Sequence, residues 1–341
     1  MSSHLRVIAP GLATTVQDLG RRGYQRLGIP VSGALDATAL ALANWAVGNP
    51  VGHAALECLY QGPTLAVVAD KVRVAVAGVG AVLDVVIDGQ PQRVPAGQSI
   101  TLPRGATVRV VLLAPGISAI LAVAGGIAVP LVMGSRSTYA RAKLGGFEGR
   151  ALRSGDLVAV GTDSRDTPDQ RVDVRLALPA TIRVVLGPQD DYFSSGSITA
   201  LLSTPYTVTT ASDRMGHRLA GTKLSGDKGF NIVSDSVAPG AIQVPGDGQP
   251  IILLADRQTT GGYPKIATVV SADLPGLGRI GPGAVLRFAA ITIAEAEFAA
   301  RAAAQAQANW RIMSIGRDAI DEARLHDANL ISGVVSGAED R

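Results

Sequence analysis

The sequence predicts a mostly β protein built in two parts, and three observations lead to that reading. Among 341 residues there are 40 Gly and 19 Pro but only 4% aromatic residues, a composition suited to many short strands joined by tight turns rather than to a helical bundle. Runs with period-two alternation, or with unbroken apolar character, recur between turn residues along most of the chain. A polar stretch from Thr162 to Gln170, rich in Asp, Ser, Thr and Pro, separates one such series from the next. The expected parts are therefore an N-terminal β subdomain with the first helix over 1–165, a second β subdomain over 171–292, and a C-terminal helix and polar tail over 293–341.

Each element has its own signal. A short strand opens residues 5–33 and leads into the loop Gly11 to Gly33, rich in Gly, Arg and polar groups. Leu35 to Val47 reads as the first helix: Asp36 is placed to cap it, alanines and leucines fill it, and Gly48-Asn49-Pro50 stops it. From Leu65 the pattern turns to β. Val72 to Val76 alternates, Val82 to Ile87 runs into Asp88-Gly89, and Val108 to Leu113 and Ala119 to Val123 flank Ala-Pro-Gly, the pattern of meander-like antiparallel strands. Ile182 to Leu186 opens the second series. Ile251 to Ala255, bounded by Gly-Gln-Pro and by Asp256-Arg257-Gln258, reads as a strand buried on both faces. Ala294 to Ile315 reads as an Ala-rich helix, and the polar tail after about residue 316 is expected to be partly mobile.

Composition also removes several functions. The net charge of +3 is scattered without a basic run, so nucleic-acid binding has little support. A single cysteine, Cys58, excludes an internal disulfide and a Cys-based zinc cage, and is expected to be a small buried hydrophobe. His4, His53, His217 and His326 lie too far apart in sequence to suggest a metal cluster, so no metal is predicted. The first residues enter a strand-like segment directly, and every apolar run is broken well before about 18 residues; a soluble, cytoplasmic protein without a membrane contact is expected. No Gly-x-x-x-x-Gly-Lys-Ser/Thr loop is present to cradle phosphates. Gly276-Leu277-Gly278-Arg279-Ile280-Gly281 has dinucleotide-loop spacing, but Pro282-Gly283 stands where a helix should open. Ser225-x-x-Lys228 sits in a glycine-rich loop instead of opening a helix. Both are read as structural.

Two clusters join a carboxylate to a guanidinium. Ser212-Asp213-Arg214-Met215-Gly216-His217-Arg218 can grip an anion or form a salt-bridged turn between strands. Asp256-Arg257-Gln258 leaves the buried strand and continues into Thr259-Thr260-Gly261-Gly262-Tyr263-Pro264-Lys265, where Gln258 and the hydroxyls have the donors and acceptors a ureido or lactam group requires. Lys265 can stabilise an oxyanion or be an exposed strand-end lysine. Because charges beside a core strand need partners or a ligand, Asp213, Arg214, Asp256, Arg257, Gln258 and the 259–263 loop are expected to converge on one pocket. Thr14 to Asp18, with Gln17 and Asp18, precedes Arg21-Arg22-Gly23-Tyr24 and can line the same cleft or an intersubunit surface. Gly134-Ser135-Arg136-Ser137-Thr138-Tyr139 has the make-up of an anion-binding turn. No nucleophile is paired with a base.

Four of these segments, Thr14 to Gly20, Gly134 to Tyr139, Ser212 to Gly216 and Gly240 to Lys265, resemble the biotin-dependent carboxyltransferase-like family. It includes allophanate hydrolase subunit 2, the C component of bacterial 5-oxoprolinase and the carboxyltransferase region of urea amidolyase. The resemblance runs from about residue 5 to about residue 290. It implies a pair of cyclophilin-like β-barrel subdomains. It implies catalytic roles for Asp213, Arg214, Asp256, Arg257 and Lys265, and substrate contacts from Met215, Gly216, Arg218, Gln258, Thr259, Thr260, Gly261, Gly262, Tyr263, Gln17, Asp18 and Arg136. It further implies an ATP-dependent amidohydrolase acting on 5-oxoproline or allophanate as a hetero-oligomer with a companion resembling allophanate hydrolase subunit 1. The alternatives it carries are a biotin-dependent carboxyltransferase component acting on a urea-type substrate and a non-enzymatic partner that regulates a kinase. No Met-Lys-Met biotin-attachment segment occurs. Biotin is therefore expected only on a partner, with no cofactor covalently bound here.

Overall fold

Alternation along the strands places one apolar face of each sheet against the next, and in the computed structural model, which describes residues 3–163 and 168–315, this produces two β units in sequence order. The first unit has a six-stranded sheet in the order Leu157–Val160, Ser3–Ala9, Thr64–Val67, Thr107–Leu112, Ala81–Ile87, Gln90–Pro95. Its second sheet has five strands in the order Ala13–Gln17, Ala55–Leu59, Ser118–Val123, Lys71–Ala77, Ser99–Pro103. Neighbours in both are antiparallel, but the sheets are not the expected meander. Only Ala81–Ile87 and Gln90–Pro95 are joined by a tight turn, at Asp88-Gly89, and most neighbours are brought together by crossings between the two sheets, each of which buries one apolar face against the other. Leu5, Leu65 and Leu83 from one sheet meet Leu56, Val76 and Leu121 from the other in a single core.

The five-stranded sheet is apolar on both faces. Ser118–Val123 is buried at all six positions, because Ala55, Ala75, Ala77 and Ala122 turn away from the barrel core toward helix α1, Ala37–Ala46. Small side chains on both surfaces let helix and sheet approach closely. The helix begins as its sequence signals predict, with the Asp36 carboxylate accepting the Ala39 N–H at 3.0 Å. Cys58 is fully buried in the barrel core.

The second unit is one eight-stranded sheet in the order Val285–Leu286, Tyr206–Val208, Gly216–Ala220, Ile251–Leu253, Ala241–Gln243, Lys265–Val269, Ile182–Leu186, Phe288–Ala290. Its two outermost strands are consecutive in the chain, which brings the edges together into a nearly closed barrel. Ile182, Ile242, Ile252, Ile266, Leu286 and Phe288 fill it. Helix α2, Ser195–Ser203, packs there through Leu201. The strand expected over Ile251 to Ala255 ends at Leu253 and is buried at Ile252 and Leu253, while Ile251 remains half-buried.

The C-terminal helix is shorter than its alanine content suggests. Following the short helix α3, Leu274–Leu277, helix α4, Ile293–Ala308, opens with a capping box between Thr292 and Glu295. It stops at Asn309, after which Ile312–Ile315 forms a strand paired with Asp169–Val172. Tertiary contact explains the break: Trp310 meets Trp45 of α1 edge-on, with centroids 5.5 Å apart. The end of the polar stretch from Thr162 to Gln170, expected to link the two series, is thus a strand. Residues 164–167 and the tail from 316 lie outside the described residues.

The apparent dinucleotide motif belongs to the junction between the units. Gly276 falls in α3, and a Cβ on Gly278 would stand 2.7 Å from the Leu35 carbonyl carbon. Ser118 Oγ donates to the Gly278 carbonyl across the same contact at 2.6 Å. Ser225, the other decoy, donates its N–H to Ser197 Oγ at 2.8 Å, while Lys228 pairs with Asp191.

Asp36 serves both units, because its carboxylate also takes Arg279 at 2.6 Å and 3.2 Å. Replacing Asp36 with Ala removes the cap and leaves a largely buried guanidinium without its carboxylate, so urea denaturation should show a loss of about 2–4 kcal/mol. Asp36→Asn, which keeps a capping oxygen, should lose less.

Candidate functional site

Arg214 crosses from the second barrel into the first. It sits in the turn Asp213 to Gly216, where Asp213 Oδ1 accepts the Met215 N–H at 2.8 Å. Gly216 is required because a Cβ there would come 2.8 Å from the Ile252 carbonyl oxygen. The Arg214 guanidinium gives Nε to Asp256 Oδ2 at 2.9 Å and Nη2 to Asp256 Oδ1 at 3.3 Å, donates from Nη2 to the Gly33 carbonyl at 2.7 Å, and directs Nη1 to Glu57 Oε1. Glu57 lies on Ala55–Leu59 of the first unit, and its other oxygen accepts the Leu35 N–H at 2.7 Å. Burial works against the charge on Arg214, but Glu57 and Asp256 outweigh it and hold the guanidinium above its usual pKa. Burial pushes the Glu57 carboxyl upward, an effect that Arg214 and the Leu35 N–H partly offset.

The anion-binding turn at Gly134 to Tyr139 holds an anion from this same chain. Asp18 receives the Ser135 hydroxyl at 2.7 Å, the Arg136 N–H at 2.6 Å, the Ser137 hydroxyl and the Gly20 N–H at 2.8 Å. The Arg136 side chain turns aside, donating from Nε to the Val129 carbonyl at 2.8 Å. Gln17 is fully buried and donates to the Thr138 carbonyl and Thr15 Oγ1. Of the neighbouring arginines, Arg22 is exposed and Arg21 is 1% exposed. Arg21 directs Nη2 to the Ser137 carbonyl, and its Nε and Nη1 have no hydrogen-bond partner among the described residues. Burial lowers its pKa, and the fields of Asp18 and Asp256 oppose that shift.

Two cavities lie at the junction of the units, and Leu35 borders both. The smaller, about 320 Å³, is lined by Tyr60 and Arg141 of the first unit and by Asp213, Arg214, Met215 and Asp256 of the second. At its mouth Arg141 pairs with Asp213 at 2.9 Å. His217 also borders it, with Nε2 2.9 Å from the Leu277 carbonyl; burial lowers its pKa. The larger cavity, about 530 Å³, is lined by Asp18, Arg22 and Ser32 from the first unit and by Leu253, Leu254 and Arg257 from the second.

The expected convergence is therefore divided. Asp213, Arg214, Met215 and Asp256 meet at the smaller cavity, whereas Arg257 faces the larger. Neither cavity is lined by Gln258 or by Thr259 to Tyr263. Gln258 Nε2 donates to Gln243 Oε1 at 3.1 Å, Thr259 O accepts the Val237 N–H, and Thr260–Gly261 pairs with Asp235–Ser236. Gly261 lies where a Cβ would meet Gln243 Nε2 at 2.5 Å; Gly262 O accepts the Ile232 N–H, and Tyr263 is exposed. Arg218 is exposed on its strand, outside both linings. Lys265 is not an exposed strand-end lysine: it is 2% exposed and ties Asp235 Oδ2 at 2.6 Å and the Ser236 carbonyl at 3.2 Å. Its charge is committed to holding that two-stranded ladder. Sequence reasoning missed Glu57, which looks like one polar residue in an apolar strand; that interruption was the only signal.

These features define a two-unit β protein in which Arg214, Glu57 and Asp256, and Asp36 with Arg279, join charges where the barrels meet. The chain belongs to the carboxyltransferase domain family, subdomains A and B, whose model matches residues 27–290. It is 39% identical over 295 residues to the C component of Escherichia coli 5-oxoprolinase, covering 86% of this chain and 93% of that one. The corresponding C component of Haemophilus influenzae 5-oxoprolinase is 36% identical, with 83% and 89% covered. Among solved structures, the Kluyveromyces lactis urea carboxylase superposes with a TM-score of 0.81 at 30% identity over 90% of this chain. That match spans only 29% of the larger protein. Among the described residues no helix is long and apolar enough to cross a membrane.

The Arg214 arrangement makes a quantitative demand. Arg214→Met leaves two buried carboxylates facing each other and should cost about 3–5 kcal/mol in urea denaturation. Adding Glu57→Gln to Arg214→Met should cost less than the sum of the single changes, with a coupling of about 0.5–3 kcal/mol. Strict additivity would mean that the two side chains do not interact in solution.

Proposed function

We propose that this chain is the C component of a heteromeric, ATP-dependent amidohydrolase that opens the 5-oxoproline lactam to glutamate. The observation that carries this reading is the identity with the C component of Escherichia coli 5-oxoprolinase across nearly its full length. A lactam is a stable amide, and transferring a phosphoryl group to its oxygen would make the ring carbon open to attack by water. This chain would supply part of the binding cleft: the two barrels, locked by Arg214, form walls that exclude water and orient the ring. The groups that transfer phosphate would come from companion proteins, one of them resembling allophanate hydrolase subunit 1. Arg214 and Asp256 then act as positioning residues, since their charges are already engaged with each other and with Glu57.

A second reading rests on the superposition with the Kluyveromyces lactis urea carboxylase. In it the chain is a carboxyltransferase component that receives carboxybiotin from a partner and acts on a urea-type substrate. Under either reading biotin is not attached here, which the intact mass of the purified protein will check.

The test is reconstitution. Purified chain mixed with the candidate companion proteins should hydrolyse 5-oxoproline with ATP consumption, and omission of any one of them should abolish turnover. Full turnover by this chain alone, or by the companions without it, would refute the proposed role. ATP use driven by urea and a biotinylated partner would establish the second reading instead.

A further inference from the structure

The larger cavity is lined by a buried cation, Arg257, that no carboxylate pairs with among the described residues. Arg257 is 2% exposed and lines the cavity, yet its hydrogen bonds go only to neutral carbonyls, from Nε to Val237 O at 3.0 Å and from Nη1 to Leu254 O at 3.3 Å. No carboxylate pairs with it among the described residues, and burial alone pulls its pKa down to about 10. The nearest comparison is Arg214, also enclosed but matched by two carboxylates. A buried guanidinium is normally compensated, so the missing charge at Arg257 is informative.

A second observation points the same way. Ser32 lines this cavity at 6% exposure, and its Oγ has no hydrogen-bond partner among the described residues. Its backbone is held in the left-handed region at φ +55, a costly conformation for a residue other than glycine. Its N–H is anchored to the Ala255 carbonyl at 3.2 Å, which places Ser32 beside the segment that carries Arg257. Asp18, the acid on the lining, already has both oxygens engaged by the turn at 134–139 and the Gly20 N–H. Much of the remaining wall is aliphatic, including Leu19, Val31, Leu35, Leu253 and Leu274. Such walls disfavour a hydrated inorganic anion and suit a compact organic body that carries one charged group.

We propose that this cavity binds a small organic carboxylate, with Arg257 taking the carboxylate, Ser32 Oγ donating to it, and an uncharged amide or lactam body lying against the leucines. The choice of 5-oxoproline as probe rests on the function proposed above; the carboxylate chemistry does not. Because the walls come from both units, an occupant bridges the two barrels.

Isothermal titration of the full chain tests this with 5-oxoproline, with 2-pyrrolidinone, which is the same lactam without the carboxylate, and with inorganic phosphate. Saturable binding of 5-oxoproline is expected, with 2-pyrrolidinone weaker by at least about tenfold, roughly 1.4 kcal/mol. Arg257→Gln should weaken 5-oxoproline by a similar factor. Ser32→Ala should weaken it about two- to fivefold, and because Ser32 Oγ bonds to none of the described residues, that variant keeps the fold even where Arg257→Gln does not. Equal binding of 2-pyrrolidinone, tighter binding of phosphate, unchanged affinity in both variants, or no binding of 5-oxoproline would each overturn the proposal. The two readings fail separately. Unchanged KM for 5-oxoproline with Arg257→Gln in an active complex removes the site and keeps the amidohydrolase. An inactive complete complex with carboxylate binding intact removes the amidohydrolase and keeps the site.

Discussion

The architecture depends on neutralising one charge. Arg214 projects from a turn of the second barrel into the first, where little water reaches it, and its proton remains because Asp256 and Glu57 both engage the guanidinium. An ion buried without partners would cost several kcal/mol, so the two barrels have one favoured way to meet. The Gly33 carbonyl and the Leu35 N–H, both on the segment leading into α1, are drawn into the same arrangement. Asp36 and Arg279 repeat the device one residue later. Oppositely charged groups contributed by different barrels fix direction as well as distance, which apolar packing does less strictly.

The cleft follows from that junction. Leu35 borders a cavity on each side of the contact. Around the smaller one the polar groups are largely matched within the protein: Arg214 with its carboxylates, and Asp213 with Arg141. Around the larger one they are not, because Arg257 lacks a carboxylate and Ser32 Oγ lacks a partner among the described residues. A buried polar group left unmatched costs free energy that a ligand can offset, which is the basis of the binding proposed for Arg257 and Ser32. The two cavities therefore differ in charge matching although Leu35 borders both.

Much of the fold was legible because it rests on local signals. Period-two alternation marked Val72 to Val76 within Lys71–Ala77, the Asp88-Gly89 turn marked the end of Ala81–Ile87, and Asp36 with Gly48 bracketed α1. The motifs at Asp18, Arg136, Asp213 and Asp256 were also legible as unusual polar clusters. Their partners were not. Asp18 fills the turn at 134–139 from more than a hundred residues away, and Lys265 is held by Asp235, on a two-residue strand thirty residues earlier that pairs with Thr260–Gly261. The α4 boundary failed for a similar reason: alanine propensity favours continued helix, but the Trp310–Trp45 contact overrides it.

By itself the sequence determined where the chain turns, which faces of its strands are apolar and which short segments concentrate charge, since each depends on neighbours within a few residues. Only the tertiary structure decided that Glu57 completes Arg214, that Asp256 and Arg257 face different cavities although adjacent, and that Arg21 is enclosed while Arg22 is exposed. Adjacent side chains can diverge as the chain leaves a strand. Which of them meets a carboxylate depends on the surface brought up from the other barrel.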